Sequence, residues 1–400
     1  MIKLCDNKIC TGCASCAQSC PKGCINLIQN DEGFYYPQIN DESCISCKKC
    51  VNSCPILNRP KISMLERPVV YGIYSNNPQI HKDATSGGIF YQIAHNLIKQ
   101  GYTVYGVAYD EYFNPLCTRA VNEKELNNLI GSKYIQANPN DVYKSVKKDL
   151  LNGIKVFYCG TPCQVAGLYA FLGKNTKGLI TADIVCHGVP SLKLWMLYLD
   201  YLKSKKINVI SYSFRDKTKW GWGSWGSYIF KKNNKTKKHY FPVAADYYYS
   251  LFFKENCLRE SCYDCKFNGD NRVSDFTIGD YWGIDEAHPG FYDRNGVSVV
   301  VLNSSVAVQL FKDNENYFKL IESTYELATK NNKTIIESTK RPESRDFFYS
   351  DLNNLGFEKT AKKYVHLRKI VPYISRYVPR NVKRSISKRI PKLSRKMVDS

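Results

Sequence analysis

Two cysteine runs near the start of the chain have the spacing of iron–sulfur ligands. Each run has three cysteines at intervals of three positions, a fourth four positions later, and then a proline: Cys10, Cys13, Cys16, Cys20 and Pro21, and Cys44, Cys47, Cys50, Cys54 and Pro55. A [4Fe-4S] cluster needs four thiolates, and three closely spaced cysteines can wrap a loop around three of its corners. The duplicated run therefore predicts two clusters in an α+β, ferredoxin-like domain over residues 1–60.

The fourth cysteine of each run is expected to serve the other cluster, because two-cluster ferredoxins of this spacing cross their ligands. The predicted ligands are Cys10, Cys13, Cys16 and Cys54 for the first cluster, and Cys20, Cys44, Cys47 and Cys50 for the second. Residues 25–28 and 34–39 predict a short hairpin between the runs. Zinc and disulfides are the disfavoured alternatives, since zinc sites pair two-cysteine hooks. Cys5 and Cys24 lie outside the pattern and are interpreted as ordinary small residues.

A different cysteine pattern occurs later in the chain, at Cys257, Cys262 and Cys265. This spacing is that of the plant-type ferredoxin hook, which needs one distant fourth ligand. We predict a third [4Fe-4S] cluster here, with Cys186 as that ligand and Cys163 as the second choice. Zinc and the absence of any metal remain alternatives, because three cysteines are less specific than the paired runs. Cys163 falls in the first turn of a predicted helix, where the pKa of a free thiol would be lowered.

The elements that must position these cysteines follow a repeated order of strand, loop and helix. Strands are predicted at 69–74, 102–109, 154–158 and 179–185, and the first is followed by a helix with an apolar face. Strands that alternate with helices indicate right-handed crossovers. The sequence therefore predicts an α/β domain over residues 66–350, with a mainly parallel sheet and an antiparallel extension.

Three unusual loops, at 85–88, 160–163 and 186–191, each follow a predicted strand and precede a helix. In an open α/β sheet such loops lie at the carboxyl edge, where ligands bind. The glycines of loop 85–88 would let backbone N–H groups approach a phosphate, although an ordinary helix cap is the alternative. Residues 131–134 add a lysine and hydroxyls for the same group. No G-x-G-x-x-G follows a strand, so the standard dinucleotide fingerprint is absent.

Composition favours a reducing compartment. The chain has 17 cysteines, an odd number, and its start resembles no export signal, so thiols kept reduced in the cytoplasm are expected. No uncharged apolar run approaches the ~20 residues of a membrane span.

The formal net charge of +21 is concentrated in a basic tail over residues 360–400. We predict that this tail contacts an anionic membrane surface, the inner leaflet, through basic and apolar side chains. A solvated tail, an acidic partner and RNA are the alternatives. A second basic run, 231–239, is interpreted as a solvated hairpin tip. No nucleic-acid function is expected, because the basic residues lie outside the cysteine-rich body.

Taken in order, these motifs resemble the coenzyme F420 hydrogenase/dehydrogenase beta-subunit family. The match covers about residues 68–307, and it includes Gly160–Gln164, Cys186–Ser191, the Cys257 hook and Gly279–Gly283. The resemblance implies an FAD and a [4Fe-4S] cluster in this body. The side chains and loops predicted to contact FAD are Thr85, Ser86, Gly87, Gly88, Ser132, Lys133 and Thr161.

These features together predict an iron–sulfur flavoprotein oxidoreductase. Clusters transfer single electrons and organic substrates take two, so a flavin is expected between them. The expected partners are a ferredoxin or a partner oxidoreductase subunit, and a small organic substrate, with bacterial polysaccharide biosynthesis as the expected context. A coenzyme F420-dependent oxidoreductase and an electron-transfer subunit of a larger complex are the alternatives. His187 is a candidate proton donor, although a lone histidine is more often structural. No other catalytic residue is predicted.

Overall fold

The computed structural model describes residues 2–232 and 235–367. Its strands are β1 (Ile25–Gln29), β2 (Tyr35–Ile39), β3 (Val69–Ser75), β4 (Thr103–Tyr109), β5 (Pro115–Ala120), β6 (Val156–Gly160), β7 (Leu179–Ile184), β8 (Asn208–Ser213), β9 (Trp225–Lys232), β10 (Lys235–Pro242), β11 (Phe276–Asp280), β12 (Ser298–Leu302) and β13 (Phe318–Ser323). Its α-helices are α1 (Ser15–Ser19), α2 (Lys49–Asn52), α3 (Pro78–Asp83), α4 (Ile89–Lys99), α5 (Glu123–Leu129), α6 (Val142–Leu151), α7 (Pro162–Leu172), α8 (Leu192–Ser204), α9 (Tyr247–Phe253), α10 (Ile284–Ala287), α11 (Ser305–Lys312), α12 (Tyr325–Lys330) and α13 (Arg345–Tyr364).

The described chain forms two compact units. The first unit contains the chain up to Leu192 together with Leu258–Lys340, and the second contains Lys193–Cys257 and the chain from Arg341 onward. The domain boundary expected near residues 60–66 lies inside the first unit, and the domain division expected from the sequence stays a prediction. Of the expected tail, residues 368–400 lie outside the described residues.

The first unit begins with the predicted hairpin. Strands β1 and β2 pair antiparallel, with Ile25 opposite Ile39. Asn30 closes the turn, because its side chain accepts a hydrogen bond from the Phe34 backbone N–H at 2.9 Å. The short helices α1 and α2 lie on either side of the hairpin in the sequence, each directly within a cysteine run.

The body of the first unit is an eight-stranded mixed sheet in the order β13-β3-β12-β11-β7-β6-β4-β5. Its centre, β11-β7-β6-β4, is parallel, and both flanks pair antiparallel. Strand β3 also points in the direction of the central strands, because two antiparallel pairings through β12 separate it from β11. The prediction of a mainly parallel sheet with an antiparallel extension is therefore confirmed, although the antiparallel strands occupy both flanks.

Both faces of this sheet are covered, as expected for crossover helices. Along β4, Val104 belongs to one buried apolar cluster and Tyr105 to the other, because successive side chains of a strand point to opposite faces. Helix α4 buries Ile93, Ala94 and Leu97 in the first cluster, on the face that the sequence predicts. Phe90, expected on the same face, is only partly buried.

The second unit is built around aromatic side chains beside a three-stranded antiparallel sheet, β10-β9-β8. The ring of Trp195 on α8 meets Tyr212 edge-on, with ring centroids 4.9 Å apart. The predicted basic hairpin tip is confirmed by the pairing of Lys232 with Lys235, although residues 233–234 lie outside the described part. Among the described helices, none combines the length and the apolar character that crossing a membrane requires.

Candidate metal centres

Both N-terminal cysteine runs adopt the same unusual backbone conformation. Gly12 and Ala14 in the first run have φ of 69° and 63°, and the matching residues Ser46 and Lys48 have φ of 53° and 59°. A non-glycine residue in the left-handed region costs about 1–2 kcal/mol. Three such residues at matched positions indicate that both loops are held in the same fixed curl.

The interactions among the N-terminal thiols bear on the crossed ligation, which stays a prediction. We call Cys10, Cys13, Cys16 and Cys54 the first thiol set, and Cys20, Cys44, Cys47 and Cys50 the second thiol set. After burial, the charges of Cys10 and Cys54 are the main causes that raise the pKa of Cys16 to about 12. The thiolates of Cys20 and Cys47 act in the same direction on Cys50. Cys54 therefore interacts with the first run and Cys20 with the second, as crossed ligation requires.

Each thiol set has a further cysteine beside it, which the sequence pattern did not indicate. Cys24 Sγ lies 3.3 Å from Cys20 Sγ, and the thiol of Cys5 interacts with those of Cys10 and Cys54. The interaction with Cys5 is the main cause that lowers the pKa of Cys10 to about 6. Cys5 and Cys24 are therefore neighbours of the predicted ligands, and the interpretation as ordinary small residues overlooks this position.

A third group of thiols lies at the carboxyl edge of the parallel strands. Its members are Cys163 at the start of α7, Cys186 after β7, and the pair from the hook, Cys262 and Cys265; we call these four the third thiol set. Beyond the effect of burial, the charges of the other three members raise the pKa of Cys186. Cys163 and Cys265 act likewise on Cys262, whose pKa is about 12. All four residues belong to the first unit.

Local sequence explains why Cys163 has this position. Thr161 caps α7 in a reciprocal capping box with Gln164, and Pro162 occupies the first turn, as the sequence predicts. The expected lowering of the Cys163 pKa is wrong, because burial outweighs the helix terminus and raises this pKa to about 11. Four half-buried thiols of raised pKa can be deprotonated together only if a cation compensates their charges, which is what a bound metal group does.

Cys257 belongs to the second unit, where it is fully buried. Its carbonyl oxygen accepts a hydrogen bond from the Tyr349 hydroxyl at 2.7 Å. Burial raises the pKa of its thiol to about 12, and the nearby Arg345 opposes this rise. The expectation that Cys257 is a cluster ligand stays a prediction.

Within the described residues, no three His, Cys, Asp or Glu side chains are arranged to hold a single metal ion. Such an ion needs its sulfur ligands about 2.3 Å from one point. A [4Fe-4S] cluster instead binds one thiolate at each of its irons.

The carboxyl edge also brings together two of the loops expected to bind FAD. Ser132 Oγ donates a hydrogen bond to Thr85 Oγ1 at 3.5 Å, so loops 85–88 and 131–134 meet there. Gly88 caps α4 with φ of 87° and no side-chain hydrogen bond. This helix terminus has the backbone conformation that the phosphate prediction requires.

Other groups in these loops already have partners within the protein. The Gly87 N–H donates to Ser298 Oγ at 2.8 Å, and Ser86 Oγ donates to the Val297 carbonyl at 3.0 Å. Lys133 Nζ donates to the carbonyls at the end of α5, including that of Ile130 at 3.0 Å. Burial lowers the pKa of Lys133 to about 7. These contacts are those of a helix cap and of strand packing.

His187 has little capacity to act as an acid. Burial lowers the pKa of its imidazole to about 4, so the ring is neutral near pH 7. Its carbonyl oxygen accepts a hydrogen bond from Thr339 at 2.5 Å, which fixes the loop after β7.

Sequence reasoning missed two buried cations beside these thiols. Arg259 Nε donates to the Cys10 carbonyl, and Arg272 Nη1 forms an ion pair with Asp183 Oδ1 at 2.7 Å. The charge of Arg272 opposes the rise that burial gives to the pKa of Cys265. The position of Arg259 between the cysteines of the hook was the available signal.

Comparison with known proteins gives two family models. Residues 153–325 match the model for the C-terminal part of the beta subunit in coenzyme F420 hydrogenase/dehydrogenase, and residues 9–57 match that of a 4Fe-4S dicluster domain. Both agree with the resemblance that the motifs predict. No curated protein matches this chain.

Among solved structures, the chain is similar to one from the F420-reducing [NiFe] hydrogenase complex of Methanosarcina barkeri. The two share 15% identity over 70% of this chain and 97% of that chain, with a TM-score of 0.45.

Proposed function

We propose that this chain, whose residues 153–325 match the coenzyme F420 hydrogenase/dehydrogenase beta-subunit model and whose residues 9–57 match a 4Fe-4S dicluster domain, is an oxidoreductase with three iron–sulfur centres. The observation that carries the proposal is the grouping of twelve cysteines into three sets of four within one compact unit. Bound clusters would supply one-electron transfer.

The three thiol sets have different access to solvent. Cys47 of the second thiol set is exposed, whereas Cys10, Cys13 and Cys54 of the first thiol set are buried. The second thiol set is therefore the better position for exchange with an external protein such as a ferredoxin.

The first thiol set adjoins the third through α7. Gly167 lies one helical turn after Cys163, and a Cβ atom on Gly167 would lie 2.9 Å from Cys13 Cβ. The charge of Cys163 in turn contributes to the raised pKa of Cys13. Cys50 of the second thiol set contributes to the raised pKa of Cys16 in the first. The proposed electron path therefore begins at the exposed Cys47 and ends at the carboxyl edge of the sheet.

For the third cluster we propose Cys163, Cys186, Cys262 and Cys265 as ligands. Cys163 would replace Cys257, because the four members of this set influence one another's pKa and share one unit. The set therefore supplies four ligands without the remaining hook cysteine.

FAD at the carboxyl edge, and a small organic substrate, are the finer part of the proposal. The contact of Thr85 with Ser132 and the start of α4, which has no side-chain cap, support an anion-binding position there. FAD would couple one-electron and two-electron chemistry.

A second candidate function is an electron-transfer subunit whose substrate site lies in a partner chain. The internal hydrogen bonds of Ser86, Gly87 and Lys133 favour this candidate, because they use groups that the FAD prediction needs. It requires the three clusters and no flavin.

One experiment separates the two candidates. The full chain is purified anaerobically, its flavin is quantified after acid release, and its absorbance is followed during reduction. Flavin at one per chain, with bleaching of both flavin and cluster bands, supports the flavoenzyme. Cluster bands without flavin support the electron-transfer role, and an iron-free protein contradicts both.

The basic tail is a separate proposal. We retain the expectation that it contacts an anionic membrane surface, and its support is compositional, since most of it lies outside the described residues.

A further inference from the structure

Arg259 connects the chain segments that carry two of the thiol sets. Its backbone N–H donates to the Val189 carbonyl at 2.9 Å, in the loop that carries Cys186. Its own carbonyl accepts from the Cys262 N–H, also at 2.9 Å. The backbone of Arg259 is thus part of the frame around the third thiol set.

The side chain of Arg259 points the other way, into the dicluster segment. Nε donates to the Cys10 carbonyl at 2.8 Å, and Nη2 donates to the Tyr35 carbonyl at 3.0 Å. The charge of the guanidinium also favours the thiolate of Cys10, and the group lies 4.2 Å from the centre of the Tyr36 ring. One residue therefore joins the first thiol set to the third.

Gln136 completes this junction. Its Oε1 accepts from Arg259 Nη1 at 3.1 Å, and its Nε2 donates to the Thr11 carbonyl at 3.1 Å. A Cβ atom at Gly12 would lie 2.6 Å from Gln136 Nε2 and 3.0 Å from Arg259 Nη1. Gly12 therefore permits the close approach of both side chains to the cysteine loop.

The charge of Arg259 is almost completely removed from solvent, since the residue is 1% exposed. The hydrogen-bond acceptors that the structure gives its guanidinium are neutral oxygens. A buried cation is unfavourable unless an anion compensates it. The thiolates of Cys10, Cys163 and Cys262 are the groups whose charges interact with it.

We propose that Arg259 is a positioning residue that fixes the first thiol set against the third and sets the reduction potentials of the clusters at both. This inference rests on the proposed function, because it requires clusters at these sets. Each one-electron reduction adds a negative charge, so a fixed cation stabilises the reduced form. Hydrogen bonds to cluster sulfurs and nearby charge are known determinants of these potentials.

The test is an anaerobic redox titration of the full-length holoprotein, followed by electron paramagnetic resonance. Arg259→Met removes the charge at similar length, and Arg259→Lys keeps it without the guanidinium fork. Arg119→Met is the matched control, because it removes a half-exposed arginine of the same unit that pairs with Asp149. Signals are assigned to thiol sets with Cys44→Ser and Cys262→Ser.

We expect Arg259→Met to shift the first and third clusters to more negative potentials while the second keeps its wild-type value. The cluster potentials of Arg259→Lys should lie closer to those of the wild type, and Arg119→Met should shift no cluster potential. Wild-type potentials in Arg259→Met at full iron content would overturn the proposal. A shift in Arg259→Lys as large as that in Arg259→Met would also overturn it. Should Arg259→Met fail to assemble its clusters, Arg259→Gln, which also removes the charge, takes its place with the same expected and overturning results. An iron-free wild type would instead refute the proposed function.

Discussion

At the scale of single residues, the question is which cysteines bind each cluster. Further cysteines lie close enough to the predicted ligands to replace one that is lost. The duplicated spacing predicts the eight N-terminal ligands without structural information. It cannot predict that Cys5 and Cys24 lie beside them, because this proximity results from the fold of the hairpin. The same limit applies to Cys163, which lies about a hundred residues before its proposed partners in the hook.

The crossed ligation leads to a prediction that takes these extra thiols into account. Cys24 Sγ is close enough to Cys20 Sγ to take over its role, so Cys20→Ser alone is ambiguous. We expect Cys20→Ser combined with Cys24→Ser to lose the cluster of Cys44, Cys47 and Cys50 and to keep the first. Iron content and electron paramagnetic resonance are the measurements, and Cys24→Ser alone is the control. Loss of the Cys10 cluster instead would show that ligation is not crossed.

At the scale of elements, α7 illustrates what sequence and structure each contribute. Its cap at Thr161, its start at Pro162 and its end at Gly173 follow from local signals and are confirmed. Its packing against the dicluster segment is not visible in the sequence, since Gly167 is simply a glycine within a helix. Similarly, the glycines of loop 85–88 suggest a phosphate site in the sequence. In the structure, Gly87 is required for packing, because a Cβ atom at this position would collide with the Ile73 carbonyl.

Gly167 provides an element-scale prediction. Gly167→Ala should displace Cys13, because the added Cβ would lie 3.0 Å from Cys13 Sγ and 2.9 Å from the Tyr143 hydroxyl. We expect reduced occupancy of the first cluster alone, although alanine favours helix formation by about 1 kcal/mol over glycine. Iron content per chain is the measurement, and Ala170→Ser, half-buried on the same helix, is the control. Full occupancy in Gly167→Ala would contradict this contact.

Helix α9 of the second unit gives a pH-dependent prediction. Asp246 caps it by accepting from the Tyr249 N–H at 2.8 Å, and it also accepts from the Tyr198 hydroxyl at 2.5 Å. Burial raises the pKa of Asp246 to about 6, so the folded state binds a proton more tightly than the unfolded state. The free energy of unfolding should therefore decrease as pH rises from about 4 to about 6.

Asp246→Asn removes this titration and keeps a capping oxygen. We expect the variant to lose the slope and to exceed the wild type in unfolding free energy at pH 7 by up to about 2–3 kcal/mol, at 1.36 kcal/mol per pKa unit. Denaturant unfolding followed through tryptophan fluorescence, between pH 5 and pH 7.5, measures it. Parallel pH profiles of the two proteins would show that Asp246 is not the group responsible.

At the scale of the whole molecule, the fold class and the type of cofactor can be predicted from patterns that recur along the sequence. The division of the chain into two units cannot be predicted in this way. Two discontinuous segments form the second unit, and no composition change marks Lys193 or Arg341. The basic tail is the opposite case, because its charge is evident from the sequence alone.

The tail prediction requires a truncation that preserves α13. Ending the chain at Thr360 would remove the last turn of this helix, so the better end is Leu367. We expect the full chain to sediment with anionic vesicles at low salt and to be released by salt, and the truncated chain to stay in the supernatant. Neutral vesicles are the control. Equal recovery of both chains in the supernatant would contradict the membrane contact.

The central claim, that three thiol sets each hold a cluster, is tested most directly by iron and sulfide content in the wild type, Cys163→Ser and Cys257→Ser. We predict about twelve iron atoms per wild-type chain, about eight in Cys163→Ser and about twelve in Cys257→Ser, at four for each [4Fe-4S] cluster. About eight iron atoms in the wild type, or loss of about four in Cys257→Ser but not in Cys163→Ser, would contradict the account.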